Sequence, residues 1–280
     1  MPPSDLERIA SIEDPFLLLR AATERLNEAQ QEVTELARLR RRIIQDLHAQ
    51  GMSYAQIAEK AGLSRGRIHQ IRHTGPAPEG AFLGVGTVIV VTPLRLDPDR
   101  NRPILALDDM RSGQRLEDLA RSFGLTVATD NVTVDGQIDL NRPGLLVVCG
   151  PRMSQAMHDA YQTDPVIGWD RDDKGWLLRD RRTGTVYRSG NQMEPEQPTD
   201  SAYLGRLMRP DGKGTFLAIA GIRPNGSLGV VHLLAHEIAT LWGQVGDQPF
   251  STVVAVEYDP QTGEPVKAEL TSPLYRHQEQ

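Results

Sequence analysis

The sequence predicts an α + α/β protein, in which a small all-helical domain precedes a larger domain of strands alternating with helices. Three observations carry that expectation. Residues 16 to 50 contain neither glycine nor proline and place apolar residues at helical spacing. The stretch "HTGPAPEGAFLG", residues 73–84, then packs three glycines and two prolines into twelve residues. Beyond it, "GTVIVVTP", "GLTVATD", "GLLVVCG", "TFLAIAGI" and "STVVAVEY" are short apolar runs rich in β-branched residues. The expected division is a helical domain over 1–73, a linker over 74–83 and an α/β domain over 84–280.

The first element is one long helix from about Asp14 to Gln50, with Asp14 and Pro15 suited to its start and Gly51 to its end. Within it Leu19, Ala22, Leu26, Ala29, Val33, Leu36, Ile43 and Leu47 recur in a three-four alternation, broken at Arg40. Such a seam needs a partner helix. Two readings remain open: a coiled coil joining two copies of the chain as a homodimer, and packing on another part of the same chain.

Next comes "YAQIAEKAGLSRGRIHQI", residues 54–71, in which Ile57, Ala58, Ala61, Leu63, Ile68 and Ile71 fall at helical spacing on either side of Gly62. That pattern predicts two short helices crossing at a turn, with Gly62 where the backbone must bend and Ser64 as N-cap of the second helix. Burying Ile68 and Ile71 leaves Arg65, Arg67, His69, Gln70, Arg72 and His73 outward, all donors suited to phosphates and base edges. The overall charge of −6 is unevenly spread. Arg38 to Arg72 holds eight basic residues against Asp46 and Glu59, the electrostatic footprint that DNA binding needs. The arrangement resembles the bacterial helix-turn-helix, in the form found in sigma-factor region 4 and related regulators, over residues 53–73. The resemblance implies double-stranded DNA as a partner, contacted by Ser64, Arg65, Arg67, His69, Gln70, Arg72 and His73. Gly66 departs from it by standing where a side chain would ordinarily help make that contact.

In the second domain, helical patterns over 111–123, about 153–162 and 227–242 lie among the strands, implying a largely parallel sheet covered on both faces. Residues 166–190 read instead as an inserted β-meander, turning at Asp172–Gly175 and Thr183-Gly184. The architecture resembles a Rossmann-type sensor domain. Two strand-to-helix junctions then suggest a ligand site at the carboxyl ends of parallel strands. One brings Gly150, Arg152 and Ser154; the other brings Gly221, Arg223, Asn225, Gly226, Ser227 and Gly229, with His232 a turn further on. A small anionic or nucleotide-like molecule suits free helix N–H groups, while close helix-sheet packing explains the same glycines without a ligand.

Catalytic and metal chemistry find weaker support. His232 and His236 share a helix face without a His-Glu-x-x-His pattern, and Cys149, the sole cysteine, reads as a small buried residue. No catalytic residue, metal or cofactor is expected. The alternative function is an enzyme of nucleotide or NAD metabolism in a signalling or defence system, with Asp170, Asp180, Glu237 and His232 as its available acid-base groups. Arg179, Asp180, Arg181 and Arg182 read either as a phosphate clamp or as a solvated hairpin face. No apolar run approaches the roughly twenty residues that span a bilayer, and "MPPSDLERIASIEDPF" has no basic-then-apolar leader, so a cytoplasmic protein off the membrane is expected.

Overall fold

The computed structural model describes residues 5–74 and 77–277 and divides between Pro78 and Glu79 into two compact units. The first unit is helical: α1 (Asp5–Ala10), α2 (Pro15–Ala49), α3 (Tyr54–Lys60) and α4 (Arg65–Thr74). Asp14 caps α2 by accepting the N–H groups of Phe16 and Leu17 at 2.8 and 2.9 Å, and Pro15, lacking an N–H, opens the helix. Ile44 joins Ile57, Ala58, Ile68 and Ile71 in a small core, with Leu47, Met52, Tyr54 and Leu63 packed around it. Leu47 thus leaves the predicted seam for the motif's interior. The rest of the seam behaves otherwise: Leu19, Leu26, Val33, Leu36 and Ile43 are exposed.

The second unit is built on a mixed sheet of nine strands, with β1 (Thr87–Asp97), β2 (Arg102–Leu105), β3 (Thr126–Val132), β4 (Leu145–Val148), β8 (Thr199–Met208), β9 (Thr215–Gly221), β10 (Phe250–Tyr258), β11 (Pro265–Leu270) and β12 (Tyr275–Arg276). A separate meander of β5 (Ile167–Asp172), β6 (Gly175–Asp180) and β7 (Val186–Tyr187) pairs antiparallel. Helices α5 (Leu107–Ser122) and α7 (Pro224–Val245) supply the core on one face of the large sheet; α6 (Gln155–Gln162) and the meander supply it on the other.

The expectation of a largely parallel sheet holds over only part of it. Strands run parallel across β3-β1-β4-β9, whereas β8 pairs antiparallel with both β9 and β10. Strand β8 escapes a periodicity reading because Asp200, Ser201, Gly205 and Arg206 interrupt its apolar run. All four are justified by the fold. Gly205 lies beneath the Tyr203 ring, leaving no room for a Cβ. Arg206, 5 % exposed, donates to the carbonyls of Gly246, Gln248 and Phe82 at 2.8–3.0 Å.

That last contact corrects the linker. Phe82 and Leu83, assigned to a linker over 74–83, are buried in the core of the second unit at 1 % and 2 % exposure. Glycine and proline density marks a break in helical pattern, but it does not report two apolar side chains that a neighbouring core can absorb. Gly75 and Pro76 of the same stretch lie outside the described residues.

Candidate functional site

The helical pair forms because its turn and both caps are locally satisfied. Ser53 and Gln56 make a reciprocal capping box at the start of α3, with the Ser53 N–H donating to Gln56 Oε1 at 2.9 Å. Gly62 adopts φ +65°, and Ser64 Oγ accepts the Arg67 N–H at 3.1 Å, capping α4. Serine-x-x-glutamine at 53–56 is a helix-start signal that the sequence reading passed over.

Ile68 and Ile71 turn inward, leaving Arg65, Arg67, His69, Gln70 and His73 exposed along the other face of α4. Arg67 Nη1 donates to Gln70 Oε1 at 2.6 Å, which holds the two side chains as one polar unit. The rings of His69 and His73 lie 4.2 Å apart. Two of the expected DNA contacts have other employment. The Ser64 hydroxyl is used by the cap, and the Arg72 guanidinium lies 3.8 Å over the Tyr54 ring, which itself stacks on His48 at 4.0 Å. Arg72 therefore braces α4 against α3. Arg38, counted in the basic patch, is buried.

In the second unit, Gly150, Arg152, Gly221, Arg223 and Ser227 line one crevice at the carboxyl ends of β1, β4 and β9. Arg95 and Asp109, absent from the sequence reading, line it too and are paired at 2.9 Å. The crevice is tight, with free volume of about 50 Å³. Burial raises the Asp109 carboxyl above its usual range against the pull of Arg95. Arg152 and Arg223 are exposed, so the rim is net positive.

The remaining predicted ligand residues lie outside that crevice's lining and have partners of their own. Ser154 caps α6 and donates to the Gly136 carbonyl at 2.6 Å. Asn225 donates to the Gly263 carbonyl at 3.1 Å. Gly229 packs so closely on Val256 that a Cβ would overlap its methyl groups. His232 neighbours His236, Arg115 and Glu264, and its pKa falls, chiefly through burial and then through the His236 charge. Gly226 gives its N–H to Asp200 Oδ2 at 2.8 Å, as Arg223 does at 2.9 Å. The first turn of α7 thus already holds a carboxyl group, supplied by β8. Ser227 Oγ is likewise engaged, accepting the Gly221 N–H at 2.9 Å.

Groups offered for catalysis are dispersed. Asp170 pairs with Arg179 at 3.1 Å, and buried Asp180 accepts the Tyr275 hydroxyl at 2.6 Å and the N–H groups of Arg182 and Thr183. Both belong to the meander, on the opposite face of the sheet from His232 and Glu237 of α7. Arg181 binds the Asp164 carbonyl and Arg182 lies over the Tyr275 ring, so these arginines are held by the segment between α6 and β5 and by β12. Burial pushes the Cys149 thiol up to about 12, which keeps it protonated. Ser251, His277 and Asp164 approach one another, but the same His277 Nε2 faces both Ser251 Oγ at 2.9 Å and Asp164 Oδ1 at 3.4 Å. One nitrogen cannot relay a proton between them. Among the described residues, no three His, Cys, Asp or Glu side chains are grouped to hold a metal, and no helix is long and apolar enough to cross a membrane.

In comparison with known families, the model described as Sigma-70, region 4 matches residues 24–75, spanning most of α2 and all of α3 and α4. No curated protein and no solved structure matches the chain. The helical unit carries a helix-turn-helix DNA-binding motif, followed by an α/β unit on a mixed sheet.

Proposed function

We propose that the protein is a transcriptional regulator in which α4 reads double-stranded DNA and the α/β domain responds to a small anionic or nucleotide-like ligand. The observation that carries the first half is the inward turn of Ile68 and Ile71, which presents Arg65, Arg67, His69, Gln70 and His73 together on a helix matched by the sigma-70 region 4 model. Arginine at the start of such a helix suits guanine edges and phosphates, and the Arg67–Gln70 pair suits a bidentate contact. The exposed seam of α2, from Leu19 to Ile43, suits a second copy of the same helix, so the regulator acts as a homodimer in this reading.

For the ligand, support comes from Arg95, Arg152 and Arg223 around one crevice against the single carboxylate of Asp109. Its size fits a phosphate- or carboxylate-sized group, with the rest of the ligand lying outside. The N–H groups of Arg223 and Gly226 do not serve that group, being given to Asp200.

Selection of double-stranded DNA from a random pool by the full chain tests the reading. An enriched sequence is expected with the natural protein and none with the Arg65→Ala/Arg67→Ala variant. Enrichment that survives the double substitution rules α4 out as the reader.

A further inference from the structure

A larger cavity in the α/β unit lies elsewhere, about 520 Å³ between α6, the 138–141 segment and the β8–β9 turn. That volume lies in the range of small-molecule sites, unlike the crevice at Gly150 and Gly221. It opens where β8 ends and β9 begins, at the amino end of the parallel strands and so at the other end of the sheet. Its floor is apolar, made by Leu140, Ala156, Ala160 and Met208.

Charge on its rim is one-sided. Arg209 is the lining cation, and both of its Nη groups are committed: Nη1 donates to the Asn141 carbonyl at 2.7 Å and Nη2 to the Lys213 carbonyl, while the guanidinium pairs with Asp211, whose Oδ1 lies 3.4 Å from Nε. Asp139 and Asp159 line the same cavity, and among the described residues neither forms an ion pair. Each spends one oxygen locally, Asp139 Oδ1 on the Asn141 N–H at 3.0 Å and Asp159 Oδ1 on Gln155 Nε2 at 2.7 Å. The second oxygen of each remains for an outside donor.

We infer that this cavity binds a small molecule with an apolar body and one cationic head, an amine or amidine held between Asp139 and Asp159. The apolar body buries against Leu140, Ala156, Ala160 and Met208, and the head supplies the donors that the two carboxylates lack. This site is independent of the anion crevice and of DNA reading.

Calorimetric titration of the full chain with phenylbutylamine, phenylbutanol and phenylbutyrate, three probes of similar body and different head, tests the inference. The amine is expected to bind about tenfold more tightly than the alcohol, as two carboxylates at a partly exposed site allow, and the acid more weakly than either. Asp139→Asn/Asp159→Asn should bring the amine down to the level of the alcohol. Ala156→Phe, which fills the floor, should weaken the amine and the alcohol, and Met208→Trp serves the same purpose should the first variant fail to fold. Equal affinities for the three probes, tighter binding of the acid, amine binding that persists in both sets of variants, or no binding of any probe would overturn it.

Discussion

The Asp200 carboxylate stands in the first turn of α7, 2.8 Å from the N–H of Gly226. Three more groups converge on it: the N–H of Arg223, the N–H of its neighbour Ser201, and the Ser189 hydroxyl. One side chain of β8 thereby ties that strand to the helix it covers, and satisfies N–H groups that a helix start leaves open.

Burial outweighs these hydrogen bonds and pushes the Asp200 carboxyl up to about 7, from 3.8 when solvated. A group whose folded pKa exceeds its unfolded pKa binds more protons in the native state, so its contribution to stability declines as pH rises between those values. Unfolding free energy is therefore expected to fall between about pH 4 and pH 7 through this residue. Chemical denaturation across that window should show a flatter dependence in Asp200→Asn. An identical slope in the variant removes Asp200 as its source.

Gly229 and Val256 make a second close approach between α7 and the sheet. Gly229→Ala is expected to destabilise the domain by about 1–3 kcal/mol through overpacking. Adding Val256→Ala should recover part of that loss, because the methyl groups in the way are gone. A double variant no better than the sum of the two single ones would mean that the strain lies elsewhere.

Arg206 serves three carbonyls from different segments, including that of Phe82, and its ring neighbours Phe82 and Phe250 shield it. Arg206→Met keeps the apolar volume but leaves those acceptors without a donor, at about 1–3 kcal/mol for each buried group. Thermal unfolding should show one of the larger single-site losses in the chain.

At Gly66, a Cβ would meet only Ser64 Oγ, at 3.9 Å, so the backbone does not require glycine there. Gly66→Ala should stabilise α4 by about 1 kcal/mol. Weaker DNA binding by this more stable variant would show that Gly66 lets the helix approach the DNA backbone closely. Unchanged binding would show that it does not.

The seam of α2 yields a test of assembly. Charged residues at Leu26 and Val33 should convert a dimer to a monomer in sedimentation, with the helix-turn-helix core undisturbed, since that core uses Ile44 and Leu47 instead. A natural protein that sediments as a monomer at micromolar concentration would overturn the homodimer.

Local signals were enough to read three of the four helices of the helical unit from the sequence, α1 (Asp5–Ala10) being the one passed over. Asp14 before Pro15, Gly62 between two apolar stripes and Ser64 before Arg65 act within four residues of themselves, so cap, turn and helix follow from the chain alone. The same holds for the first turn of the meander, at 172–175 in sequence and structure alike, while the second, expected at 183–184, falls within a longer connection over 181–185. Tertiary structure alone decided the fate of residues whose partners are distant. Asp200 reads as a strand breaker until α7 arrives 23 residues later, Arg206 until Gly246 and Phe82 meet it, and the Gly226 loop reads as open to an anion until Asp200 fills it. Periodicity records which side chains are apolar, whereas the pairing of a buried polar group depends on which distant backbone it meets, and no local pattern encodes that.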